Sequence, residues 1–140
     1  MRGLFLVIVI MLLAMVPRIG AQKPTHPPPP KLEICYFHPT ERCPIDQSIE
    51  ENIKRMMRTD FAKEVAAGTL KYRVINTDDK AFANLVSKFE MNAQALYLVW
   101  TENGKEKRKD LTEFAFSTSL ANPTKFKAGF HDEVVAILKK

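Results

Sequence analysis

The chain carries two cysteines in 140 residues, and one of them lies in the run Arg42-Cys43-Pro44-Ile45-Asp46. Proline is favoured at the first position of a helix, which puts Cys43 at the N-cap and Asp46 in the first turn. Helix-terminal amides and a nearby cation such as Arg42 favour the thiolate, the form of cysteine that acts as a nucleophile. Asp46 works in the opposite sense if its carboxylate faces the thiol, although an acid in the first turn also has a plain role in complementing the helix dipole. His38 ends the apolar run before the loop Pro39-Thr40-Glu41-Arg42. It is read either as a structural or solvated histidine or as a base near the thiol.

Positioning these residues requires a strand that ends at His38 and a helix that begins at Pro44. Leu32 to His38 (LEICYFH) is short, apolar and bounded by Pro30 and Pro39, the pattern of a buried central strand. Cys35 falls inside it and reads as a small core hydrophobe. A Cys35 to Cys43 disulfide needs the loop to fold back until the Cα atoms lie within ~7 Å. Ile45, Ile49, Ile53, Met56, Met57, Phe61 and Val65 then recur at helical steps, predicting one long amphipathic helix that Gly68 terminates.

Leu70 to Asn76 predicts a second strand, and Asp78-Asp79 starts a helix with Phe82, Leu85, Val86 and Phe89 facing inward. Ala95 to Trp100 predicts a third strand, which Asn103-Gly104 turns into a hairpin with Lys105 to Asp110. The charge density of that fourth strand marks an edge. Thr112 is the expected cap of a helix carrying Phe114 and Phe116. After Pro123 a last helix presents Phe126, Phe130, Val134, Ile137 and Leu138. The order β-α-β-α-β-β-α implies an α/β fold, a mixed four-stranded sheet with helices on both faces. In such a sheet, loops beyond the carboxyl ends of parallel strands gather reactive groups, and Cys43 lies in one.

A strand, a short loop, Cys-Pro-x-x and a long helix is the thioredoxin-like arrangement. Tyr36-Phe37-His38, Arg42-Cys43, Ile49-Glu50-Glu51-Asn52, Arg108 to Phe116 and Asn122-Pro123 with Phe126 resemble the exported thioredoxin-fold family named nitrophenyl compound nitroreductase subunit ArsF. The resemblance spans nearly all of residues 32–140 and implies thiol-disulfide chemistry with a protein thiol, a disulfide or a partner protein. It also implies a Cys-x-x-Cys, where this chain has Asp46 in place of the second cysteine. Without that thiol an intramolecular resolving step is impossible, leaving monothiol exchange at Cys43 or a non-enzymatic binding module. The position of the thioredoxin cis-proline falls near Gln94-Ala95, a further departure.

Composition sets the remaining bounds. With 46% hydrophobic and 26% charged residues, the chain suits one small domain and excludes a two-domain enzyme or a wholly disordered chain. Arg2, the apolar run Leu4 to Val16, and Gly20-Ala21 read as a signal peptide over residues 1–21, so the protein is expected to be exported, periplasmic or secreted. Thirteen apolar residues span about 20 Å as a helix, short of the ~30 Å hydrocarbon core, so membrane attachment is expected only if the segment stays uncleaved. Residues 22–31 read as a Pro-rich linker and residues 32–140 as the domain.

Setting aside Arg2 and Arg18 leaves 19 basic against 16 acidic residues, a net +3. The basic residues are interspersed with acids, which gives no support for nucleic-acid binding. His38, Cys43 and Cys35 lack two closely spaced ligand pairs, so no metal is expected. No cofactor is expected either, because phosphate-binding glycine loops, paired catalytic carboxylates and serine triads are absent from the sequence.

Overall fold

A computed structural model describes residues 27–140. The expected signal peptide and the first half of the linker, residues 22–26, lie outside them. Four strands, β1 (Leu32–His38), β2 (Leu70–Asn76), β3 (Ala95–Glu102) and β4 (Lys105–Asp110), form one sheet in the order β2-β1-β3-β4. β1 runs parallel to β2 and antiparallel to β3, and β3 pairs antiparallel with β4, so the sheet is mixed. Five α-helices accompany it: α1 (Pro44–Arg58), α2 (Ala62–Ala66), α3 (Ala83–Lys88), α4 (Thr112–Thr118) and α5 (Pro123–Leu138). Among the described residues no helix is long and apolar enough to cross a membrane.

The alternation of β1 explains how it serves two cores. Leu32, Ile34 and Tyr36 face the larger one, built with Ile49, Ile53 and Met56 of α1 and Phe126, Phe130 and Val134 of α5. Cys35 and Phe37 point the other way and pack with Ile75, Phe89 and Ala95 beneath the segment that contains α3. Each fully buried Ile, Leu or Phe contributes ~1.5–3 kcal/mol, so the larger cluster dominates the stability. Helices therefore cover both faces of the sheet, as the order of elements predicts.

The hairpin follows its sequence signal closely. Asn103 and Gly104 both have positive φ, 53° and 72°, the combination that a two-residue turn between right-twisted strands requires. All six residues of β4 are exposed, as expected of a charged edge.

Four local expectations are corrected. The long helix ends at Arg58, where the Thr59 hydroxyl bonds to the Arg55 carbonyl and to Asp60, and α2 follows separately. Such local side-chain bonds compete with helix continuation. Val65, predicted to face inward, is consequently 41% exposed. Asp79 caps a 3-10 turn at Lys80–Phe82 instead of α3, and Val86 lines a surface groove while Phe89 is buried. Thr112 is the first residue of α4 and not its cap; its hydroxyl accepts the Leu96 amide at 3.0 Å, which ties the helix to β3.

Candidate functional site

β1 delivers Tyr36 and His38 to its carboxyl end, and the following loop is pinned to the end of β2. The Thr40 amide donates to Asp78 (2.7 Å), Thr40 and Asn76 exchange side-chain hydrogen bonds, and the Thr77 amide donates to the His38 carbonyl (2.8 Å). The chain then enters α1 through Cys43, the N-cap, in extended backbone (φ −81°, ψ 166°), with Pro44 in the first turn. Cys43 is exposed and free, and Cys35 is free and buried. Burial, reinforced by Glu33, pushes the Cys35 thiol up to about 11, the behaviour of an inert core cysteine.

Asp46 is fully buried and works as part of the helix cap. One carboxylate oxygen accepts the Cys43 amide (3.1 Å), closing a capping box, and the other accepts the Tyr36 hydroxyl (2.8 Å). Burial opposes its ionisation, but the hydrogen bonds from Cys43, Tyr36 and the Gln94 side chain outweigh burial and hold the carboxyl below its ordinary value. Burial and the neighbouring Asp46 drive the Tyr36 hydroxyl upward, so it keeps its proton and donates it to Asp46. Gln94, near the position where the resemblance places a cis-proline, adds one of the smaller pulls that lower the Asp46 carboxyl. The described residues contain no cis peptide.

Arg42 does not reach out toward an incoming group. Its guanidinium pairs with Glu50, lies 6.0 Å from the Tyr36 ring centroid, and donates weakly to the Asp46 carbonyl at 3.4 Å. Glu50 is also paired with Lys54 one turn later. Burial disfavours the Glu50 carboxylate, but Lys54 and Arg42 outweigh it and lower its pKa. Burial also disfavours the charged form of Arg42, whereas Glu50 holds its pKa above the ordinary value.

His38 is 8% exposed, and its Nδ1 lies 2.8 Å from the Pro39 carbonyl. A carbonyl only accepts, so Nδ1 carries the proton and donates. No hydrogen bond joins His38 to Cys43 among the described residues.

The structure therefore brings Cys43, Arg42 and Asp46 to one helix terminus, with His38 on the preceding strand turned to its own loop. Sequence reasoning missed Tyr36 and Glu50, which complete the network. A tyrosine inside a buried strand needs a partner for its hydroxyl, and that requirement was the available signal for Tyr36. For Glu50 the signal was the Glu50/Lys54 spacing of four. No group of three or more candidate metal ligands gathers among the described residues.

Chemically, the arrangement offers one accessible thiol at the start of a 15-residue helix, with Arg42, Asp46 and Glu50 already partnered. Comparison with known proteins finds no matching family model, no similar curated protein and no similar solved structure.

Proposed function

We infer that the protein is an exported thioredoxin-like protein, of the kind the ArsF resemblance implies, whose Cys43 performs monothiol-disulfide exchange with an external partner. The observation that carries this reading is the exposed Cys43 at the N-cap of α1, one loop beyond the central strand of a β2-β1-β3-β4 sheet. In the reaction, the Cys43 thiolate attacks one sulfur of an external disulfide. The S–S bond breaks, one half leaves as a thiolate and takes a proton from water, and the other half stays bound to Cys43 as a mixed disulfide. An external thiol then attacks that mixed disulfide and restores Cys43, so the two electrons come from external thiols. No resolving thiol acts within the chain, because Asp46 occupies the next turn and Cys35 is 1% exposed.

A second reading, a non-enzymatic thioredoxin-fold binding module or an accessory subunit of an envelope redox system, is favoured by Asp46. Its carboxylate is committed to the cap, as in a site whose redox partner has been replaced by structure. Incubating the full chain with glutathione disulfide and following adducts by mass spectrometry separates the two. Exchange chemistry predicts one adduct on Cys43, reversal by excess thiol, and acceleration of thiol-disulfide exchange that Cys43→Ser abolishes. An adduct without acceleration, in folded protein, would establish the binding module instead.

A further inference from the structure

At the other end of α1 lies a groove of about 580 Å³ that the thiol chemistry leaves unused. Its floor is apolar, made by Met57, Val65, Leu70 and Tyr72, and Val65 is one of only two large hydrophobic side chains exposed among the described residues. Lys54, Arg58 and Lys71 line the rim, and none of the lining residues is a carboxylate. Arg58 and Lys71 enter no ion pair among the described residues. The Tyr72 hydroxyl oxygen is buried without a hydrogen-bond partner.

The groove borders β2, an edge strand with β1 as its only neighbour in the sheet among the described residues. The two edges are guarded very differently. β4 presents Lys105, Lys107, Arg108 and Lys109, the lysine-rich pattern that repels strand addition. β2 is shielded less, with Leu70 and Ile75 buried and only Lys71 fully exposed.

We propose that this groove and the free edge of β2 bind an extended acidic segment of another protein by strand addition, its alternate apolar side chains seated on Met57, Val65 and Leu70 and its carboxylates against Arg58 and Lys71. Main-chain pairing along an open edge supplies affinity, and alternating side-chain contacts supply specificity. Charge complementarity selects the occupant. Pro27 and Pro30 of this chain's own amino-terminal segment line one side of the groove, but prolines have no amide hydrogen to give a strand ladder. Residues 1–31 also contain Arg2, Arg18, Lys23 and Lys31 and no carboxylate, so that segment supplies neither the main-chain pairing nor the charge. A second copy's β2, with Lys71 and Arg73, or its β4, with four basic and two acidic residues, would bring cations against cations. The acid-rich strand must come from a different molecule.

A fluorescently labelled peptide of alternating Glu and Val tests the proposal on the full chain. Expected results are binding that weakens with added salt, a loss of about tenfold or more in the Arg58→Glu/Lys71→Glu double variant, and slowed amide exchange confined to residues 70–76. Val65→Glu, altering an exposed residue of the floor, provides a second variant with the same expected direction. Equal binding by the peptide with Lys in place of Glu would overturn the proposal, as would binding that both variants leave unchanged. Failure of the peptide with binding to phosphatidylglycerol vesicles would also overturn it, and would assign the cations to a membrane surface.

Discussion

The two ends of α1 use charge in opposite ways. At the amino end Asp46, Tyr36, Arg42 and Glu50 close on one another, and among these side chains the carboxylates lie inside the protein. At the carboxyl end Arg58 stands in solvent, favoured by the helix dipole but without a side-chain partner. A closed network fixes geometry, whereas unpaired cations keep their full field for whatever approaches. The exposed Cys43 is the exception at the closed end, an accessible group held on a rigid base.

The largest effect should come from comparing the two thiols, since they lie on opposite sides of the boundary between that base and solvent. Cys43 should be alkylated in the native state, while Cys35 should wait for opening of β1, giving rates that differ on the order of 10³-fold or more. Peptide mapping after timed exposure to iodoacetamide measures both. Comparable rates would mean that β1 is not the protected centre of the sheet.

Next in size is removal of the cap. Asp46→Ala leaves the Tyr36 hydroxyl and the Cys43 amide without their acceptor, at a cost of about 2 kcal/mol at neutral pH. The folded carboxyl is held below its ordinary value, so its stabilisation is present above the unfolded pKa of ~3.9 and is lost as pH falls through the lower folded value. Urea unfolding of both proteins should therefore show a gap that is full at neutral pH and narrows below pH ~4. A gap that is constant or widens with acid would contradict the ionised cap.

Much of this was legible in order along the chain and little of it across the chain. β1, the Asn103-Gly104 turn, the charged edge and Cys43 at the N-cap are short-range features, set by alternation, by φ preferences and by Pro44. The break after Arg58 was hidden because the apolar spacing runs on through Phe61 and Val65 without a proline or glycine. It arises from the side-chain bonds of Thr59, after which Phe61 turns into the core and Val65 outward. Thr112 was misread because its partner, the Leu96 amide, lies sixteen residues away. The Tyr36 to Asp46 bond depends on the angle at which α1 docks on β1, which no local spacing encodes.

The smallest effect should appear at the open end. Arg58→Glu removes a favourable charge from the last turn of α1, and Lys71→Glu places a carboxylate opposite Glu33 on β1. Each contributes a few tenths of a kcal/mol, since surface charges near a helix terminus or across a strand pair act in water. Together they should lower stability by about 1 kcal/mol or less, a shift of several degrees at most in the melting temperature. Thermal unfolding of the double variant checks this directly. A loss exceeding ~2 kcal/mol would mean that these cations hold the fold together, and the contrast between the ends of α1 would then disappear. A small loss, alongside peptide binding weakened about tenfold or more, leaves the open end with recognition as its use.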